Sequence, residues 1–327
     1  MRMSLETFKE GLKDYCLELG WKQWTKLGIS GRERADDWVN TDPEALVLLT
    51  GFLGSKDLRL TDNVISWLAT NESLIHKSRL KTILDIGHVP TLLRLSEVFQ
   101  AAGKGDERSS WNTFKDYCSD KIKALEDRRE RNKELFASEM VSGDYKTVKA
   151  DLGNNRVILR KLFGTTVRAE LINFFFGRGS GSSRAIAEYL QLSQSTVYTT
   201  LNELEEIGLI KKQGRSRSTT YRIVGDSFSL PRLQPEVYFD WANYFKSIIK
   251  AWKHVESLTE PDSEYKVRST LNQFYRKFLE DLSDWNSSFT DLSTVTSSRA
   301  QTNIVEKKNS AEYLLNEITR LPGRAVE

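Results

Sequence analysis

The side chains best suited to recognition lie in one short stretch. Val197, Leu201, Leu204 and Gly208 are spaced four, three and four apart, so on a helix they share one face. Advancing 100° per residue puts Ser195, Thr199 and Asn202 on the opposite face, with Gln194 and Tyr198 on its flank. A row of short hydroxyl and amide groups hydrogen-bonds polar edges and phosphate oxygens without adding charge repulsion. Directly after this helix come Lys211, Lys212, Arg215 and Arg217, which supply cations to the same neighbourhood.

The elements that must hold these groups are legible from their punctuation. A first helix is expected over Thr165–Phe176, burying Val167, Leu171, Ile172 and Phe175, and Gly177-Arg178-Gly179-Ser180-Gly181 breaks it. Ser182 caps a second helix, Ser183–Leu190, whose inward residues are Ile186, Ala187 and Leu190. The tight turn Gln191-Leu192 leads to Ser193, which caps the third helix, Gln194–Ile207. The period then changes. Leu209–Gln213 reads as a strand, Gly214–Ser218 as a turn and Thr219–Val224 as the returning strand. Phe174-Phe175-Phe176 reads as core or as packing for neighbouring helices.

Charge sets this stretch apart. Residues 155–224 hold eleven basic and five acidic side chains, a surplus of +6, whereas the whole chain of 327 residues carries only +3. The remainder is therefore −3, and the asymmetry points to a polyanionic partner.

Helix, helix, helix and basic hairpin together resemble the winged helix-turn-helix domain of bacterial and archaeal transcription regulators of the ArsR and MarR type. The resemblance rests on Ala185-Ile186-Ala187-Glu188-Tyr189-Leu190, Leu192-Ser193-Gln194-Ser195-Thr196-Val197, Leu201, Leu204 and Gly208-Leu209-Ile210. It covers about 60 residues, under a fifth of the chain. Gln191 departs from the pattern, since many relatives place glycine there; a turn without a positive φ is expected to accommodate it. The resemblance implies that the third helix enters the major groove of double-stranded DNA. Gln194, Ser195, Thr196, Tyr198, Thr199 and Asn202 would then meet bases and phosphates. Ser182, Ser183 and Arg184 would grip the backbone, and Arg215 and Arg217 would reach phosphate or a minor groove. Ser193, Lys211 and Lys212 complete the candidate set. It further implies a regulator, with repression the commoner outcome, binding as a symmetric homodimer. The reading from another class is a winged-helix protein-interaction scaffold, such as an antitoxin-like component of a defence system, that organises a complex without reading sequence.

The rest of the chain frames this domain. Hydrophobic residues make up 39% and charged residues 28%, which excludes a wholly disordered chain, and the length suits about two domains. The expected fold is mainly α, with the winged helix-turn-helix (three helices plus a β-hairpin wing) between helical N- and C-terminal regions. The boundaries read as a helical domain over 1–104, a long helix and linker over 105–154, the winged domain over 155–226 and a helical region over 235–327. In the first, Pro43 starts a helix after Asp42, Thr61 is a candidate cap, and several short helices follow. The long helix runs from about Ser109 to Phe136, with Trp111, Phe114, Cys118, Ile122 and Leu125 on one stripe. Beyond Pro235, Trp241, Phe245, Ile248, Ile249 and Trp252 form one helical stripe and Leu271, Phe274, Phe278, Leu282 and Trp285 another, as core or as the seam of a dimer. A last helix is expected over Ile304–Arg320.

Signals for other functions are missing from the sequence. No apolar run approaches the roughly twenty residues of a membrane span, and the N-terminus lacks the apolar core of a secretory signal, so a cytoplasmic protein is expected. Two distant cysteines, Cys16 and Cys118, make neither a disulfide framework nor a zinc site. His76, His88 and His254 fall at no metal-ligand spacing, and the glycine run follows a helix rather than a strand, unlike a dinucleotide fingerprint. No catalytic residue, metal or cofactor is expected. The N-terminal region is open to an effector or protein partner that no residue identifies.

Overall fold

Short polar caps and prolines set where the helices start. The computed structural model describes residues 4–31, 39–126, 147–151, 153–214, 219–224, 238–259 and 263–283. These are mainly helical, with one small three-stranded antiparallel sheet. The N-terminal segment opens with a long helix, α1 (Leu5–Lys26), where only short ones were expected. In α2 (Pro43–Leu53) the Asp42 carboxylate accepts from Ala45 N at 3.1 Å, and Pro43 has no N–H that would need an acceptor, so the helix starts there. Asp57, not Thr61, caps α3 (Leu58–Thr70). Thr61 lies one turn inside, where its hydroxyl donates to the Asp57 carbonyl. A 3-10 turn (Glu72–Leu74) precedes α4 (Lys77–Ile83), α5 (Val89–Ala102) and α6 (Ser110–Glu126). Helices α5 and α6 pack through Phe99 stacked on Trp111, ring centroids 5.4 Å apart, with Phe114 beside them. Residues 127–146, which hold the rest of the expected long helix to Phe136 and the start of the expected linker, are outside the described residues.

The expected linker is partly anchored. Asn71 donates to the Val148 carbonyl and accepts from Ala150 N, and Asp151 N donates to the Leu27 carbonyl. A helix the sequence reading missed then follows, α7 (Asn155–Phe163), with Asn154 accepting from Val157 N at 3.1 Å. Thr166 caps α8 (Val167–Arg178), so the expected start was two residues early. Phe174 and Phe175 are buried and Phe176 is partly exposed.

Next come β1 (Ser180–Gly181), α9 (Ser183–Leu190), α10 (Gln194–Glu206), β2 (Ile210–Gln213) and β3 (Thr220–Ile223). The sheet order is β1-β3-β2. The expected glycine break is in part a strand: Ser180 pairs with Arg222 and Gly181 with Tyr221. Gly181 suits this spot because a Cβ there would meet Ile186 Cγ1 at 3.0 Å. After α10, Gly208 takes φ +75° and turns the chain into β2.

Compactness divides the chain differently from the boundaries read at 104, 154 and 226. One unit is Leu19–Ala242 and the other joins Met1–Glu18 with Asn243–Glu327. The second unit contains α11 (Trp241–Trp252) from Asn243 on, and α12 (Glu264–Ser283). Within it Phe8 meets Phe274 edge-on at 5.1 Å, the Tyr15 and Tyr244 hydroxyls lie 3.3 Å apart, and Lys9 donates to the Leu258 carbonyl at 2.8 Å. Phe245, Ile248, Ile249, Trp252, Leu271, Phe274 and Phe278 are all buried within the single chain. These residues of the two stripes are therefore core. The end of the chain, 284–327, with Trp285 and the helix expected over Ile304–Arg320, lies outside the described residues.

Candidate nucleic-acid interface

Local hydrogen bonds build the turn between α9 and α10. Ser182 Oγ accepts from Ala185 N at 3.2 Å and Ser193 Oγ from Thr196 N at 3.2 Å, so each helix begins where its serine stands. Between them Leu192 N donates to the Ala187 carbonyl at 3.0 Å. Gln191 takes φ 55° and ψ 43°, the one left-handed non-glycine residue among those described. The expectation of a turn without a positive φ is thus overturned. A glutamine holds the position because its Nε2 donates to the Glu188 carbonyl at 2.8 Å, offsetting part of the ~1 kcal/mol or more that the conformation costs.

The inward face of α10 is Val197, Leu201 and Leu204, all buried, joined by Thr200. Gln194, Ser195, Thr196 and Thr199 are exposed and Tyr198 is 50% exposed. Several of the hydroxyls already serve the helix: Ser193 Oγ lies 2.7 Å from Thr196 Oγ1, and Thr199 Oγ1 donates to the Ser195 carbonyl. Asn202 does not stand out with this row. It is only partly exposed, and its Oδ1 is buried without a hydrogen-bond partner. Ser182 and Ser183 are half-buried at the start of α9, and Arg184 is exposed, paired with Glu188 at 2.9 Å.

The hairpin pairs Ile210 with Ile223, Lys211 with Arg222, Lys212 with Tyr221 and Gln213 with Thr220. Ile210 and Tyr221 are buried, and alternation puts Lys211 and Arg222 together on the other, exposed face. Like charges directly opposite are unfavourable. Neither is ion-paired among the described residues, so an anion would relieve both. Arg222 was counted in the charge sum but not singled out; the period-2 register against Lys211 is the signal that could have found it. Lys212 pairs with Glu205 of α10. Arg215 and Arg217 lie outside the described residues.

Counting charge along the sequence overstates this surface. Arg156 and Arg160 are each about 1% exposed and face Glu170, itself fully buried. Without these three the segment keeps nine bases and four acids, a surplus of +5. Arg178 lies over the Tyr189 ring at 4.1 Å, and Arg168 pairs with Glu203 at 2.9 Å.

The buried arginines belong to a neutral network of three guanidinium groups and three carboxylates. Arg79 binds Asp42 through both Nη atoms, at 2.7 and 2.5 Å, and Glu44 at 2.8 Å. Arg160 reaches Glu44 at 2.7 and 3.1 Å and Glu170 at 2.7 Å. Arg156 lies 3.2 Å from both Asp42 and Glu170 and donates to the Tyr238 hydroxyl at 3.0 Å. Burial opposes ionisation of Asp42, but Arg79 and Arg156 outweigh it and hold the carboxyl far below its usual range. Burial likewise opposes ionisation of Glu170, and Arg160 and Arg156 bring it down to about 2. This network joins α2 and α4 to α7 and α8. Sequence reasoning missed it entirely.

No cluster of His, Cys, Asp and Glu among the described residues is placed to hold a metal ion. No helix among them is long and apolar enough to cross a membrane. Comparison with protein-family models, curated proteins and solved structures found no match.

Proposed function

We propose that the chain is a sequence-specific, double-stranded DNA-binding regulator, a repressor by preference, acting as a homodimer through a winged helix-turn-helix over α8 to β3. The observation that carries this reading is the exposed, uncharged polar start of α10 beside a basic hairpin. The order α8, β1, α9, α10, β2, β3 and the sheet order β1-β3-β2 support a wing returning along the recognition helix. The positive dipole end of α10 and the surplus of nine bases over four acids favour a polyanion over a neutral protein groove. Bound at a promoter, the protein would exclude polymerase.

Fluorescence anisotropy with labelled duplexes tests this at two salt concentrations. Wild type is expected to bind at low salt and to weaken as salt rises, and Arg215→Ala/Arg217→Ala to bind less tightly with a salt slope smaller by about two. Gln194→Ala is expected to narrow discrimination among duplexes, by ~1–3 kcal/mol at its base pair, more than it lowers nonspecific affinity. Absent wild-type binding at low salt, or an unaffected double variant, refutes the reading.

A further inference from the structure

The carbonyl of Leu190, the last residue of α9, is one of the orphan acceptors at a helix end. Its partner is remote in sequence: Arg79 Nε, from α4, donates to it at 2.8 Å across 111 residues. The rest of that guanidinium is fully committed to α2 and its cap, with both Nη atoms on Asp42 and one also on Glu44. Arg79 is about 1% exposed, so water offers the carbonyl no substitute. One residue further on is Gln191 in the left-handed region, and two beyond that is the α10 cap Ser193.

We propose that Arg79 is a positioning residue for α10: it clamps the end of α9 to the Asp42 and Glu44 carboxylates and so fixes the angle at which the exposed row is presented. The clamp makes the helical layer of α2 and α4 part of the DNA-binding device rather than an appended domain. A partner that moves α2 or α4 would reach the end of α9 directly through the Arg79 guanidinium, beside the Arg156 and Arg160 links to α8. The clamp itself is read from geometry; its effect on DNA affinity rests on the function proposed above.

The test combines amide hydrogen exchange on the full chain without DNA with duplex anisotropy, for Arg79→Lys and Arg160→Lys. Lysine keeps the charge, but one ammonium cannot span Asp42 and the Leu190 carbonyl together. Arg160 serves as control because it donates to Glu44, Glu170 and the Leu74 carbonyl and to nothing in α9 or α10. The reporter amides are Leu192, bonded to Ala187, and Thr196 and Val197, bonded to Ser193. Arg79→Lys is expected to speed their exchange about tenfold over Arg160→Lys and to weaken duplex binding about tenfold. Equal exchange at these amides in the two variants overturns the proposal. The expected exchange pattern with no duplex binding by wild type upholds the clamp and refutes the DNA reading instead. Should Arg79→Lys not fold, wild-type exchange in rising urea decides: Leu192 and Leu80 amides are expected to open together, and earlier opening of Leu192 overturns the clamp.

Discussion

Neutralising Glu44 puts the buried network to its hardest test. Its Oε1 accepts from His76 N at 2.6 Å and Arg160 at 2.7 Å, and its Oε2 from Arg79 at 2.8 Å and Arg160 at 3.1 Å. In Glu44→Gln one oxygen becomes an NH2 group. Either orientation then turns two donors against donors already committed to that site, and three arginines face two carboxylates. Breaking a buried pair by removing one partner costs ~3–5 kcal/mol, because the remaining charge stays buried. With a urea dependence of ~1–3 kcal/mol per molar, the midpoint should fall by roughly 1–5 M. Tryptophan fluorescence reads this well, since Trp24, Trp67 and Trp111 are buried in the same unit. A loss under about 1 kcal/mol would mean that water reaches the network in solution, and would refute its burial.

Three further outcomes follow. Asp42 and Glu170 are held below their usual values, so their stabilisation is present above pH ~4.5 and is lost as pH falls through the folded values. His76 is shifted down by burial, partly countered by Glu170 and Glu44, so it adds a loss of the same sign below its ordinary 6.5. Urea midpoints should thus fall from pH 7 to 5 and again to 3; a flat profile contradicts the assignment. Glu205→Gln frees Lys212 for phosphate, and anisotropy titrations should show up to about fivefold tighter duplex binding and a salt slope steeper by about one. Arg222→Thr removes the like-charge partner of Lys211 and adds a strand-favouring residue, so the melting temperature should rise while the salt slope shrinks. An unchanged slope would remove Arg222 from the interface.

Much of α9 and α10 could be read in advance because their signals are local. Ser182 and Ser193 cap helices that start one residue later, and the spacing of Val197, Leu201 and Leu204 identified the buried face. The same rule misjudged Asn202, since a helical wheel does not know how far a neighbouring element reaches around it. Strand β1 was missed because two residues have no period to detect; only pairing with Arg222 and Tyr221 defines them. The C-terminal stripe was visible as apolar, but whether it faced its own chain or a second copy was not.

The sequence by itself determined the mainly helical class, the Ser182 and Ser193 caps, the paired strands and the exposed polar start of α10, all consequences of residues within a few positions of one another. Tertiary structure alone decided which arginines are surface and which are core. Arg156 and Arg160 resemble Arg168 and Arg184 in a charge count, yet they meet Asp42, Glu44 and Glu170 inside the protein. The physical reason is that burying a guanidinium is costly unless acceptors converge on it, and here three carboxylates do. That convergence depends on α2, α4, α7 and α8 packing together, which no spacing along the chain records.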